Sequence, residues 1–145
     1  MAVTYDEIAY DEIELGLRSI ISKEFANVYI ANEFVMKGNE CVRINLDSSS
    51  LLLQSGSLEQ REYLVTIRYY HNADTNIEIV NKSVKGKIDR LRKHLLDNQV
   101  NNSYNWSELR IDEIQYNVQD EENDETPSLN IAEYSLSIVH SNVYT

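Results

Sequence analysis

Between Thr75 and Leu96 the apolar residues Ile77, Val80, Val84, Ile88, Leu91 and Leu95 recur every three or four positions. At about 100° per residue they fall on one narrow stripe of an α-helix. Lys82, Lys85, Lys87, Arg90, Arg92 and Lys93 occupy its flanks and back. A helix with one apolar stripe and a basic back needs a sheet to lie on, and the segments around it read as strands.

An earlier helix is predicted over Thr4 to Glu24. Thr4 and Glu7 have the spacing of a capping box, and Tyr10, Ile13, Leu17, Ile20 and Ile21 form its inward stripe. Ile8 and Leu15 lie off that stripe, as ordinary surface or as a second packing face. Asn27 to Phe34 and Glu40 to Leu46 read as a hairpin turned by Lys37-Gly38-Asn39, with Val42, Ile44 and Leu46 alternating against polar neighbours. Ser48 to Gln60 reads as a long loop with an apolar centre, Leu51-Leu52-Leu53, between serine-rich ends. Such a centre either folds back onto the core or docks on a partner.

Arg61 to His71 is the clearest strand: Tyr63, Val65, Ile67 and Tyr69 face one side, Leu64, Thr66, Arg68 and Tyr70 the other. Trp106 to Gln119 is a further strand whose apolar parity changes between Ile111 and Ile114, the signature of a β-bulge near Asp112-Glu113. Leu129 to Val139 returns as the last strand, after an acidic turn that carries Asp120, Glu121, Glu122, Asp124 and Glu125. The fold class is therefore α+β: a mostly antiparallel sheet of about five strands, two helices packed on one face, and a long loop between the second and third strands. No repeat or linker interrupts the pattern, and residues 1–145 are read as a single domain.

Composition narrows the function classes. A net charge of -11, with 24 acidic residues against 13 basic, repels nucleic acid and anionic membranes over most of the surface. The helix after Thr75 holds six of those 13 basic residues and is the one local exception. Its cations are either a solvated face or a complement to the acidic turn of an adjacent copy, which would make contacts head to tail. A single cysteine, Cys41, leaves no internal disulfide and suits a reducing compartment. The acidic N-terminus argues against a secretory signal, and apolar runs of three or four residues are far too short for a membrane span.

Candidate chemistry is sparse. His71, His94 and His140 lie far apart without the spacing of metal ligands, and each reads as structural or exposed. The acidic turn lacks the glycine and the terminal glutamate of a calcium loop. Ser48-Ser49-Ser50 and Gln54-Ser55-Gly56-Ser57 contain no nucleophile elbow, and the four glycines are too scattered to cradle a phosphate. No catalytic, cofactor-binding or metal-binding residue is assigned, and no cofactor is expected.

Taken in order, the acidic N-terminal helix, the hairpin, the polar-apolar loop, the strand REYLVTIRYYH, the helix NIEIVNKSVKGKIDRLRKHLL and the closing hairpin WSELRIDEIQYNVQDEEND…LNIAEYSLSIVH resemble the tail terminator proteins of long-tailed bacteriophages. The resemblance is one of element pattern over nearly the whole chain and rests on no invariant motif, so no residue role is carried over. It implies a non-enzymatic virion protein, assembled in the host cytoplasm, that forms a ring, hexameric in the family, on the head-proximal end of the tail tube. That ring stops tube polymerisation and offers a docking surface for the neck. The implied partners are copies of itself, the tail tube protein, a neck or connector protein, and a sheath protein where the tail contracts. DNA would pass through the lumen unbound, and an acidic wall would repel its phosphates. On this reading Asp120, Glu121, Glu122, Asp124 and Glu125 and the cations Lys82, Lys85, Arg90, Arg92 and Lys93 are candidate subunit or lumen contacts. Leu51, Leu52 and Leu53 are the candidate contact to the tube or neck. A head-side adaptor or tail completion protein stays open within the same class, and a small α+β ligand-binding or regulatory module outside it.

Overall fold

The computed structural model describes residues 7–30, 40–71, 77–116 and 130–143, with backbone alone at 77–81 and 130–131. Five strands, β1 (Val28–Ile30), β2 (Cys41–Ser55), β3 (Leu58–His71), β4 (Trp106–Gln115) and β5 (Asn130–Val143), form one sheet in the order β1-β2-β3-β5-β4. The helices α1 (Leu15–Ile21) and α2 (Ile77–Leu96) pack on one face. All pairings are antiparallel except β1 with β2.

The helix-covered face follows from strict alternation. Tyr63, Val65, Ile67 and Tyr69 of β3 pair with Ile138, Leu136, Tyr134 and Ala132 of β5, and all eight are buried. Onto this floor α2 lays Val84, Ile88, Leu91 and Leu95, while α1 and the turn before it add Ile13, Leu17, Ile20 and Ile21. Each large aliphatic fully withdrawn from water contributes about 1.5–3 kcal/mol. The Tyr134 hydroxyl donates to the Ile88 carbonyl at 2.5 Å, so the most central tyrosine brings no unsatisfied group into the core.

Several expectations change on contact with the structure. The first helix is π-helical from Ile8 to Glu14 and α-helical only from Leu15 to Ile21. The wider π turn shifts its facing set, so Tyr10 is half exposed while Ile8 packs against the core. Thr4, the proposed cap, lies outside the described residues. β1 and β2 are parallel, with Val28 opposite Val42, so they form no hairpin. Parallel strands need a returning connection, and the Lys37-Gly38-Asn39 turn lies within the undescribed residues 31–39.

The expected long loop does not exist. Ser48 to Gln60 is the far half of the β2–β3 ladder, closed by Gly56-Ser57, and Gly56 takes the left-handed φ of 57°. Two register shifts, between Leu46 and Ser48 and between Leu51 and Leu53, break the period of two that would have marked a strand. The bulge expected near Asp112-Glu113 is present, between Ile111 and Glu113. β5 continues to Val143, beyond the Val139 predicted from sequence.

Candidate interaction surface

Beyond the helices, β2, β3 and the end of β5 run on as an arm. Its leucines Leu51, Leu52 and Leu53 are 50%, 51% and 46% exposed. Leu51 pairs with Arg61 and Leu53 with Gln60, so the extra residue Leu52 puts Leu51 and Leu53, which a regular strand would keep on one face, on opposite faces. Apolar side chains therefore stand on both sides of a ribbon that no described residue covers. β1 protects only Val42 to Ile44 of the outer edge of β2. From Leu46 to Ser55 no described strand pairs with that edge.

Among the described residues no element covers the sheet face opposite the helices, and that face is largely polar. Arg43, Asn45, Asp47, Thr66, Arg68 and Glu133 line a groove on it. Its groups answer one another: Thr66 Oγ1 donates to Asp47 Oδ2 at 2.5 Å, Asn45 Nδ2 to Asp47 Oδ1 at 2.8 Å, and Arg68 Nε to Glu133 Oε2 at 3.1 Å. A self-satisfied polar row is how an antiparallel sheet faces water. One end of this face holds a small satellite cluster in which Cys41 and Tyr70 are buried beside Tyr29. Burial pushes the Cys41 thiol up to about 11; Arg43 pulls the other way and Glu40 adds to the rise. The thiol is inert at neutral pH.

On the helix side the five predicted cations separate into two kinds. All five are exposed; Arg92 and Lys93 make loose ion pairs with Asp89 (3.9 Å) and Asp97 (3.7 Å). Arg90 is committed within the fold, its Nη1 donating to Glu24 Oε1 at 2.9 Å. Asp120, Glu121, Glu122, Asp124 and Glu125 lie outside the described residues. The structure therefore places all five cations on the exposed side of α2, with Arg90 tied to Glu24, while their proposed acidic complement lies outside the described residues.

Sequence reading missed the carboxylates that hold the layers together. Each histidine meets a glutamate far away in the chain: His140 with Glu12, His94 with Glu24 at 2.5 Å, and His71 with Glu40 at 3.7 Å. The Tyr69 hydroxyl links the last pair, donating to Glu40 Oε2 at 2.6 Å and lying 2.7 Å from His71 Nδ1. Burial, then the bond to Glu40, raises the ionisation of Tyr69 far above its ordinary value, so it stays a neutral donor. The His94 contact, set against burial, and then Arg90 hold the Glu24 carboxyl below its usual range. Separations of 128 and 70 residues leave no local signal for such pairs. They tie helix to sheet and helix to helix.

Among the described residues no three His, Cys, Asp or Glu side chains converge as a metal site, and no helix is long and apolar enough to cross a membrane. Among the described residues the features define a two-layer α+β protein with one sheet face that no described element covers and a projecting apolar arm. No protein-family model matches the chain, and no curated protein does. Among solved structures, its fold is similar to that of a chain in the virion of a native gene transfer agent particle. The TM-score is 0.54 at 8% sequence identity, over 93% of this chain and 92% of that one. At that identity the likeness is one of fold.

Proposed function

We propose that this chain is a structural protein of a phage-like virion and, within the virion, a tail terminator. It forms a ring, six-membered by the family resemblance, on the head-proximal end of the tail tube, halts tube growth there and presents the face to which the neck docks. The observation that carries the reading is the fold shared over nearly the whole length with a chain of a gene transfer agent virion. The exposed arm supports it, because leucines standing on both faces of a ribbon are tolerated in an assembly that covers them and are a liability in a free monomer. In this reading Leu51, Leu52 and Leu53 meet the tube, Lys82, Lys85, Arg92 and Lys93 face the acidic segment of a neighbouring copy, and Asp120 to Glu125 line that contact or the lumen. An acidic lumen lets the genome slide past without binding.

The test is to add the full-length protein to tail tubes growing from purified tube protein and to image their ends. Rings at one end, with elongation arrested, are expected. Tubes that keep lengthening with bare ends would sink the terminator reading. Arrest together with a neck component bound on the outward face would exclude a role confined to the head side.

A further inference from the structure

We propose that the first helix is a two-register switch: Glu12 holds it in the π form, and in its α form Tyr10 and Ile8 exchange places. This goes beyond the terminator reading and stands without it.

The π turn is short and bracketed. The Asp11 N–H still reaches four residues back, to the Glu7 carbonyl at 3.0 Å, whereas the Leu15 N–H reaches five back, to the Tyr10 carbonyl. From Leu15 to Ile21 the helix is α. Such π turns inside helices are rare and are found most often at functional sites. The apolar pattern of this stretch suits the α form. At about 100° per residue, counted back from Leu17, an α-helix would set Tyr10 about 20° from Leu17 and Ile8 about 180° from it. The structure shows the converse: Tyr10 is 49% exposed and Ile8 packs against the core. Either register therefore gives the core stripe one large apolar group, an isoleucine in the π form and a tyrosine ring in the α form. Burial does not separate the two strongly, so polar contacts make the choice.

Those contacts converge on Glu12. Its Oε1 accepts from Asn105 Nδ2 at 3.0 Å, its Oε2 meets His140 Nε2, and its carbonyl accepts from Trp106 Nε1 at 2.9 Å. None of the three partners is free to follow a departing helix. His140 is buried and edge-on to Tyr63, Trp106 is buried, and Asn105 is held at the left-handed φ of 60°. In the α form Glu12 would lie about 140° from Leu17, and its carboxylate would leave His140 and Asn105. A buried imidazole without its partner is costly, which tips the register to π.

The effect is felt at the root of the arm. Trp106, His140, Arg61 and Leu51 form one row across the sheet, and the π segment also touches β2. A partner that covers Tyr10 holds the π form. A partner that draws Glu12 away from His140 releases the α form, which withdraws Tyr10 and presents Ile8 instead.

Thiol labelling reads the register. In a Cys41→Ser background, full-length Ile8→Cys and Tyr10→Cys proteins are reacted with N-ethylmaleimide at neutral pH, with and without Glu12→Ala. Each reporter is compared with itself, so the bias of the new cysteine cancels. With Glu12 present, Tyr10→Cys should label roughly tenfold faster than Ile8→Cys. Glu12→Ala should slow the first and speed the second, each roughly fivefold, with far-UV helicity kept. Rates that ignore Glu12 would overturn the proposal. So would fast labelling of both reporters, which means that the segment has merely detached. Should Glu12→Ala fail to fold, Glu12→Gln keeps the size, drops the charge and carries the same test. Shifts of roughly threefold in the same directions are then expected, and unchanged rates overturn the switch. Tube capping is not read in this assay, so its failure leaves the terminator reading untouched.

Discussion

Replacing Gly16 by alanine should destabilise this protein, although the same change inside most helices would stabilise it. Gly16 is buried in α1. A Cβ added there would sit 3.0 Å from Trp106 Cζ2 and 3.1 and 3.2 Å from Tyr104 Cγ and Cδ1. The tyrosine is partly exposed, but the tryptophan is not free to retreat. Its ring is 1% exposed, and its Nε1 donates at 2.9 Å to the Glu12 carbonyl, one turn before Gly16 on the same helical segment. Moving the ring away from the new methyl lengthens that bond. Alanine in place of glycine gains about 0.5–1 kcal/mol of backbone entropy and propensity. Overpacking a locked contact costs about 1–3 kcal/mol. The net is a loss of about 1 kcal/mol, or about 4 °C in Tm. Urea unfolding of Gly16→Ala against the parent measures it, with Trp106 fluorescence as the probe. Adding Tyr104→Ala should recover part of the loss, and the double-mutant cycle gives the coupling. A Gly16→Ala protein as stable as the parent or more so would refute the claim that Trp106 is pinned.

Other expectations follow from the same geometry. Because Glu24 is held below the usual carboxylate range, its contribution to stability is complete above the unfolded value of 4.5 and is lost as pH falls through the lower folded value. Unfolding free energy measured from pH 6 to pH 3 should therefore drop less steeply in Glu24→Gln than in the parent; equal slopes would discount the His94–Glu24–Arg90 cluster. With its thiol raised to about 11, Cys41 should react with iodoacetamide at pH 8 far more slowly in the folded chain than in urea, and matching rates would contradict its burial. Changing Leu51, Leu52 and Leu53 together to serine should leave unfolding within about 1 kcal/mol of the parent, since each is already half in water, yet abolish tube capping. Reversing Lys82, Lys85, Arg92 and Lys93 to glutamate should likewise shift stability by under about 1 kcal/mol. Ring assembly would be lost at low salt, as light scattering would show; unchanged assembly would remove the cationic face from the subunit contact.

What the sequence determined by itself is whatever repeats at short range. The stripe from Val84 to Leu95 fixed α2, alternation in β3 fixed its buried face, and the parity change between Ile111 and Ile114 located a bulge before any coordinates did. Local geometry sets those periods, so a window of a few residues contains them. The direction of β1, the strand identity of Ser48 to Gln60 and the π turn at the N-terminus were not legible in this way. A strand has the same side-chain period whichever way its neighbour runs, and two bulges erased the period of β2 where the leucines cluster. Tertiary structure alone decided the Glu12–His140 and Glu24–His94 pairs and the polar row on the sheet face opposite the helices. Each depends on which distant segments the burial of the core brings within a few ångströms, and no local pattern encodes that meeting.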